Sequence, residues 1–264
     1  MSVRILWTIA QLTRLDGSLL TGMVVFLPLY VNGMELWNSL SLSVPVLFTT
    51  MAGFVLNDIH DSERDAINHP RRPIPSGAIS KTVAMVIYFA LLFLTLLAIK
   101  KYVTDKQIFI YLLFAVLMIN YNFIVERFAY LKNIYVALTT VVPVCIVFQQ
   151  EVVEWMIWLF PAAIFFFVLG REMLMDSIDL EGDGITLVKI IGSRIAEVIS
   201  FSIQFFGSFS LFFIADNAIQ AILATLITIV TLGNMVAWKS KGARTVIIRI
   251  MKLQFLFGTG FLIT

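Results

Sequence analysis

The chain has 264 residues, of which 59% are hydrophobic and only 14% are charged, and its formal net charge is +2. A water-soluble domain is about half apolar and a quarter charged, so this composition excludes a soluble protein and indicates an integral membrane protein. The single cysteine, Cys145, excludes an internal disulfide and any metal site that is built from several cysteines. The small net charge does not indicate a nucleic-acid partner.

Apolar segments that are long enough to cross a hydrocarbon core of about 30 Å recur along the whole chain. We predict nine transmembrane helices, at approximately residues 12–32, 38–57, 81–99, 107–125, 133–150, 153–172, 195–215, 218–238 and 246–263. Arg14 and Asp16 lie near the start of the first, so this segment is a candidate for beginning as an interfacial helix. The sequence therefore predicts an all-α polytopic fold, a single domain over residues 1–264 with nine helices around a central cavity.

The distribution of positive charge indicates which loops face the cytoplasm, because Lys and Arg in short loops are retained on that side. If the N-terminus is cytoplasmic, that side has fifteen Lys and Arg residues, whereas the other side has only Lys100, Lys101 and Lys106. We therefore expect the N-terminus and the two longest connections, residues 58–80 and 173–194, to be cytoplasmic.

Each of these two connections contains three aspartates that are spaced three and then four residues apart. They are Asp58, Asp61 and Asp65 in NDIHDSERD, and Asp176, Asp179 and Asp183 in DSIDLEGD. On a helix this spacing places the three carboxylates on one face, whereas Glu63, Arg64 and Glu181 fall off that face and are expected to be solvated. Ionisable groups beside a bilayer are costly and usually functional. We predict that the six carboxylates converge around cations if the two helices are neighbours.

The ligand set favours a hard divalent cation, because it consists of oxygens without several cysteines or paired histidines. Mg²⁺ in particular binds through a few carboxylates and leaves its other positions to water and substrate phosphates. Asn57 offers one more oxygen. The sequence therefore predicts a magnesium site that also receives a phosphate-bearing ligand.

Basic residues follow both aspartate motifs. Arg71 and Arg72 stand in NHPRRPIPSG, where three prolines make the segment stiff and non-helical, and a guanidinium can bind phosphate oxygens through two hydrogen bonds. Arg72 is the stronger candidate, whereas Arg71 could serve topology alone. The second connection adds Lys189 and Arg194. We predict a lipid diphosphate ligand with its charged head at the loops and its hydrocarbon tail between the helices.

The motif NDxxDxxxD followed by RPIPSG, with a second DxxDxxxD after an even number of further spans, resembles the UbiA superfamily of intramembrane prenyltransferases. The resemblance covers most of the chain, and REMLMDSIDLEGDGITLVKIIG is similar to the second-motif region of the branch that makes archaeal ether lipids and of some quinone-pathway members. It implies that the two motifs hold two Mg²⁺ ions, which bind the diphosphate of a polyprenyl donor and help it to leave. The remaining allylic carbocation then needs a nucleophile.

The resemblance also implies substrate-binding residues outside the aspartates. Tyr121 matches a recurrent family tyrosine. A lysine commonly follows that tyrosine at the fifth position, where this chain has Glu126, and the adjacent Arg127 is expected to take the part of the lysine. The other predicted substrate-binding residues are Asn57, Arg72, Lys189 and Arg14, the arginine of the first span.

Three functions are compatible with these features. The first is a Mg²⁺-dependent prenyltransferase that joins a polyprenyl group to a hydrophobic or amphipathic acceptor, either an aromatic ring or a glycerol-phosphate-like alcohol. The alternative is a terpene cyclase on the same scaffold, in which the double bonds of the substrate capture the cation. The third is a transporter that uses the acids as an ion path, but it predicts acids deep within the spans, whereas these acids lie at span ends. Membrane lipid is the only further partner that we expect.

Overall fold

A computed structural model describes residues 3–148, 158–178 and 186–260. Twelve α-helices account for most of these residues, and the described ranges contain no β-strand. In chain order the helices are α1 (Val3–Leu12), α2 (Leu15–Val31), α3 (Leu36–His60), α4 (Ser62–Asn68), α5 (Lys81–Tyr102), α6 (Asp105–Arg127), α7 (Lys132–Phe148), α8 (Leu159–Ile178), α9 (Leu187–Ile191), α10 (Ser193–Ser210), α11 (Ala218–Ala237) and α12 (Arg244–Gly260). The predicted all-α class is confirmed.

Six segments of the described chain are long and apolar enough to cross a membrane. They are Leu36–His60, Lys81–Tyr102, Gln107–Arg127, Ala129–Phe148, Ser193–Ile214 and Ala218–Ala237. The bent pair of α1 and α2 would be a seventh. Helix α8 is not among them and carries Arg171, Glu172 and Asp176, while α12 is described over only 17 residues. The count of nine spans is therefore not confirmed, but several membrane-length helices are.

The predicted first span is two helices rather than one. Helix α1 ends at Leu12 and α2 begins at Leu15, and the two axes are bent by 59°. Between them Arg14 has φ 43° and ψ 56°, a left-handed conformation that a non-glycine residue rarely adopts. Such conformations concentrate at functional sites, where the surrounding contacts hold them in place.

The chain divides into two compact units, Met1–Phe123 and Ile124–Thr264. One hydrophobic cluster of the first unit consists of buried apolar side chains from α1, α3, α5 and the loop between α4 and α5. They are Leu12, Ala52, Val55, Ile74, Ile79, Ala84 and Tyr88. Ile74 and Ile79 belong to the proline-rich loop, whose backbone is also closed by the bond from Ile79 N to Pro73 O at 3.0 Å. This burial anchors the loop and so positions Arg72.

The second unit is built on a close approach of α8 and α10. A Cβ atom at Gly170 would lie only 2.6 Å from the carbonyl oxygen of Ser200 and 2.8 Å from Cγ of Gln204. Only glycine therefore allows this contact, as is common between membrane helices. Val188 of the short helix α9 packs against Met173 of α8 and Ala196 of α10, which holds α9 beside both helices.

Buried polar side chains link α11 and α12 within the second unit. The amide Nε2 of Gln254 donates to Thr231 Oγ1 and to the carbonyl of Ile227, both at 3.1 Å, and Asn234 Nδ2 donates to Gln254 Oε1 at 2.9 Å. Interhelical hydrogen bonds of this kind hold membrane helices together, because lipid tails offer no hydrophobic driving force for their association.

Candidate active site

The first aspartate motif is not one continuous helix, contrary to the prediction. Asp58 lies near the end of α3 and Asp65 lies in α4, and Asp61 between them has φ −77° and ψ 0°. A ψ near zero is far from the α-helical value of about −42°, so the helix axis is interrupted at Asp61. Backbone hydrogen bonds of helical spacing still cross the junction, from Asp61 N to Asn57 O and from Asp65 N to Asp61 O, both at 2.8 Å.

Asp58 and Asp65 nevertheless belong to one buried charge cluster. Their exposed fractions are 3% and 4%. Arg72 Nη1 donates to Asp65 Oδ2 at 2.5 Å and lies 3.7 Å from Asp58 Oδ1, while Arg14 Nη2 donates to the same Asp58 oxygen at 2.9 Å. Two guanidinium groups thus neutralise two carboxylates that would otherwise be too costly to bury.

The geometry of this cluster follows from local structure on both sides. The left-handed turn at Arg14 directs its side chain towards α3, where the guanidinium carbon also lies 4.8 Å from the ring centre of Phe54. Such cation–π contacts stabilise a partly desolvated guanidinium. On the other side, Arg72 is held by backbone bonds within the loop, from its N to the His69 oxygen and from Ser76 N to its own oxygen, both at 3.0 Å.

Asp61 has a different set of partners. Asn57 Nδ2 donates to Asp61 Oδ2 at 3.1 Å, and Arg64 Nη2 donates to Oδ1 at 2.5 Å. Residues three positions apart are neighbours on a helix surface, so this contact needs no special geometry and agrees with the prediction that Arg64 is a solvated neighbour. The side chain of Arg64 is still 55% exposed, so the pair adds little stability. Glu63 is exposed, as predicted.

A cavity of about 430 Å³ adjoins the Asp58 cluster in the first unit. It is lined by polar and basic side chains together with two prolines. The lining residues are Gln11, Arg14, Asp58, Asn68, His69, Pro70, Arg71, Arg72 and Pro73. Its size falls within the range of small-molecule sites, about 300–1,000 Å³, and its three arginines suit an anion. Arg71 is exposed on the wall, whereas Arg72 reaches the carboxylates.

The second aspartate motif is described only at its first member, since Asp179 and Asp183 lie outside the described residues. Asp176 stands near the end of α8 with an exposed fraction of 4%. Lys132, the first residue of α7, places its Nζ 2.9 Å from Asp176 Oδ1. The other oxygen, Oδ2, is buried and has no hydrogen-bond partner among the described residues.

Three other predicted substrate-binding residues lie on helices of the two units. Tyr121 is half-buried on α6, and Arg127 is exposed at the end of the same helix, with its guanidinium carbon 5.9 Å from the ring centre of Phe128. Lys189 is exposed on α9. The structure thus brings Arg14 and Arg72 to the motif aspartates directly, and these are the predicted basic residues with the best-defined role in the site.

Lys132 is a site residue that the sequence did not predict, because as one of the fifteen cations on the N-terminal side it indicated topology alone. A signal was present in the spacing. Arg14 and Asp58 are 44 residues apart, and so are Lys132 and Asp176. In each unit a basic residue at the start of one helix meets the first aspartate of a motif at the end of the next.

The residues of both motifs suit a hard divalent cation by their chemistry. Within the described ranges, no three His, Cys, Asp or Glu side chains are grouped closely enough to hold a metal ion. However, the donors are carboxylate and amide oxygens, which Mg²⁺ prefers, and Asp176 Oδ2 is a buried acceptor without a partner in the described chain. Arg14, Arg72 and Lys132 compensate the buried carboxylates of Asp58, Asp65 and Asp176.

Comparison with known families agrees with the acidic motifs. The model of the UbiA prenyltransferase family matches residues 18–254, which is most of the chain and includes both motifs. The chain belongs to the UbiA prenyltransferase family. It is therefore a prenyltransferase and, with its membrane-length helices, an integral multi-pass membrane protein.

Two proteins that are similar to this chain are digeranylgeranylglyceryl phosphate synthases. A digeranylgeranylglyceryl phosphate synthase of Methanoregula boonei is 33% identical over 205 residues, which cover 74% of this chain and 72% of that protein. The enzyme of the same name from Saccharolobus solfataricus is 28% identical over 242 residues, covering 87% of this chain and 84% of that protein.

A solved structure of a UbiA homologue from Archaeoglobus fulgidus, bound to GPP and Mg²⁺, matches with a TM-score of 0.71. The match covers 97% of this chain and 99% of that chain at 17% sequence identity. At this level of identity the likeness shows that the two proteins share a fold.

Proposed function

We propose that this UbiA-family enzyme is a Mg²⁺-dependent prenyltransferase that transfers a polyprenyl group from its diphosphate to a glycerophosphate-type lipid alcohol. The observation that carries the proposal is the cluster of Asp58, Asp65, Arg14 and Arg72 beside the basic cavity. The choice of acceptor is supported by the similarity to the two digeranylgeranylglyceryl phosphate synthases.

The basic residues of the cavity serve to bind and orient the diphosphate. Arg14, Arg71 and Arg72 line one cavity of about 430 Å³, and fixed guanidinium groups can donate paired hydrogen bonds to phosphate oxygens. Arg14 and Arg72 are each held beside a buried carboxylate, so both guanidinium groups stand at the cavity before the ligand enters. We assign Asn57 to the orientation of Asp61, since it donates to that carboxylate.

The aspartates of the two motifs would hold the metal. Asp58, Asp61 and Asp65 form the first set, and Asp176, Asp179 and Asp183 form the second, with two ions in total. Mg²⁺ bound there would supply the positive charge that stabilises a departing diphosphate. The proposal requires the two motifs to face one central cavity on the cytoplasmic side, within one domain of nine spans.

The reaction exchanges one C–O bond for another. The bond between C1 of the donor and its diphosphate breaks, and the electron pair leaves with the diphosphate. A hydroxyl oxygen of the acceptor then forms the new ether bond, and its proton leaves with the diphosphate. In this proposal Tyr121 borders the reacting carbon, where its ring can stabilise positive charge, and Arg127 and Lys189 contact the phosphate groups of the two substrates.

The decisive experiment is product analysis with the purified protein. It is incubated with labelled C10, C15 or C20 prenyl diphosphate, with geranylgeranylglyceryl phosphate or an aromatic acceptor, and with Mg²⁺. We expect a diether lipid that forms only with the glycerophosphate acceptor, that is lost in excess chelator and that returns with Mg²⁺ or Mn²⁺. Full activity in chelator would remove the metal from the mechanism.

Two further outcomes would change the assignment. A prenylated ring without any ether lipid would place the acceptor in the aromatic class. A cyclic hydrocarbon released in the absence of acceptor would identify a terpene cyclase instead. The Asp58→Asn variant is the matched blank, because it removes one motif charge without changing the size of the side chain.

A further inference from the structure

Lys132 lies outside both aspartate motifs, yet it contacts the first aspartate of the second motif. Its Nζ is 2.9 Å from Asp176 Oδ1, and the exposed fractions of the two side chains are 20% and 4%. The lysine therefore retains access to solvent, whereas the carboxylate is almost fully enclosed. The ammonium group of Lys132 can therefore separate from Asp176 without entering the apolar core.

The ion pair of Lys132 and Asp176 is poorly suited to a purely structural role. A buried ion pair stabilises a fold only when further hydrogen bonds satisfy the remaining oxygens, and Asp176 Oδ2 has no partner in the described part of the chain. A lysine is a compact point charge on a flexible stem, and it cannot bind both oxygens as arginine does. The arrangement leaves one buried anionic oxygen available to a second cation.

Arg14 provides an internal comparison in the first unit. Arg14 directly precedes α2 and pairs with Asp58 at the end of α3, just as Lys132 begins α7 and pairs with Asp176 at the end of α8. The sequence separation is 44 residues in both cases. Arg14 is on the wall of the basic cavity. Lys132 therefore occupies the position in the second unit that Arg14, which lines the basic cavity, occupies in the first unit.

We propose that Lys132 is a donor-site residue: it neutralises Asp176 before the metal binds, releases this carboxylate to the metal, and then donates to the diphosphate of the prenyl donor. The proposal rests on the proposed function, since it assumes that metal and diphosphate meet at the second motif. In this proposal Lys132 weakens the binding of metal alone and strengthens the binding of the metal–diphosphate complex. No covalent bond changes in this exchange.

The test uses two binding measurements on the purified full-length protein. Free Mn²⁺ is titrated without any diphosphate and followed by electron paramagnetic resonance, and the Mn²⁺ complex of inorganic pyrophosphate is titrated by calorimetry. In Lys132→Gln we expect Mn²⁺ alone to bind about tenfold more tightly and the pyrophosphate complex to bind about tenfold more weakly, within the usual range of coupling between sites. Lys100→Gln, at an exposed lysine near the end of α5, is the control and should change neither.

Lys132→Arg provides a second test that does not depend on the stability of the glutamine variant. A guanidinium can bind both oxygens of Asp176, so this variant should bind Mn²⁺ alone more weakly than the wild type, while it retains the binding of the pyrophosphate complex. A merely structural lysine would leave both affinities unchanged in folded variants, and that result would overturn the proposal.

The failure of this inference can be separated from failure of the proposed function. If the wild type binds the Mn²⁺–pyrophosphate complex, Asp176→Asn loses it and neither Lys132 variant alters the Mn²⁺ affinity, the inference is wrong while the function stands. If the wild type binds no Mn²⁺ with or without pyrophosphate, both are wrong.

Discussion

Lys132 at the start of α7 and Asp176 near the end of α8 form an ion pair in which Nζ lies 2.9 Å from Oδ1. The two residues are 44 positions apart in the chain, so no local rule of helix spacing places them together. Lys132 belongs to neither aspartate motif, whereas Asp176 is the first aspartate of the second motif. The energetic role of the pair can be tested independently of catalysis.

Removal of the lysine alone should destabilise the protein in the absence of metal. Lys132→Met leaves the enclosed Asp176 carboxylate without its cation, and we expect a loss of about 1–3 kcal/mol, reduced from the value for a fully buried pair because Lys132 is partly exposed. The double variant Lys132→Met with Asp176→Asn should recover most of this loss. The measurement is a double-mutant cycle of thermal unfolding in detergent with chelator present. Equal unfolding temperatures for wild type and the single variant would mean that the pair is effectively solvated.

Removal of motif carboxylates should abolish turnover and leave the fold intact. Asp58→Ala and Asp176→Ala each remove an enclosed charge on which the site depends, so we expect a loss of at least about 100-fold in Mg²⁺-dependent turnover, comparable to loss of a main electrostatic contact in other enzymes. Glu63→Gln is the matched control within the same motif, because its side chain is 94% exposed. Near-normal turnover in either aspartate variant would exclude that aspartate from the site.

The two adjacent arginines of the proline-rich loop should differ in their effect. Arg72 contacts Asp65 and Asp58, whereas Arg71 only lines the cavity. Arg72→Ala should therefore lower kcat and raise the donor KM, by about 10- to 100-fold in kcat/KM, whereas Arg71→Ala should affect KM by less than about tenfold. Steady-state kinetics with a prenyl diphosphate separates the two. Equal and small effects would assign both residues to membrane topology.

The close packing of α8 on α10 predicts a stability difference between two helical glycines. Gly170→Ala would bring a Cβ to 2.6 Å from the Ser200 carbonyl oxygen, so the helices must separate and we expect a loss of about 1–3 kcal/mol. Gly233→Ala meets nothing within 4 Å and should be neutral or stabilising, since alanine favours a helix over glycine. Thermal unfolding of the two variants in detergent tests this. A smaller loss at Gly170 than at Gly233 would contradict the packing described for the second unit.

The sequence could predict the helical class and the chemistry of the aspartates, but not the internal geometry of the first motif. The spacing of Asp58, Asp61 and Asp65 predicts one acidic helical face, yet the backbone is interrupted at Asp61. Asp58 and Asp65 are instead brought together by Arg72 from the following loop. Arg64 pairs with Asp61 as residues three positions apart on a helix can. Periodicity rules describe residues within one helix, so they do not predict an arginine that comes from the loop after it.

By itself the sequence determined the membrane class, the identity of the motif aspartates and the family that the chain resembles. These properties depend on the length of hydrophobic segments and on short motifs. Both are set by neighbouring residues in the chain and do not depend on how the helices pack. Only the tertiary structure decided which cation meets which acid. Arg14 reaches Asp58 because the chain bends at a strained residue, and Lys132 reaches Asp176 because α7 packs on α8. Pairing over such distances in the chain is set by the packing of helices, on which local sequence carries little information.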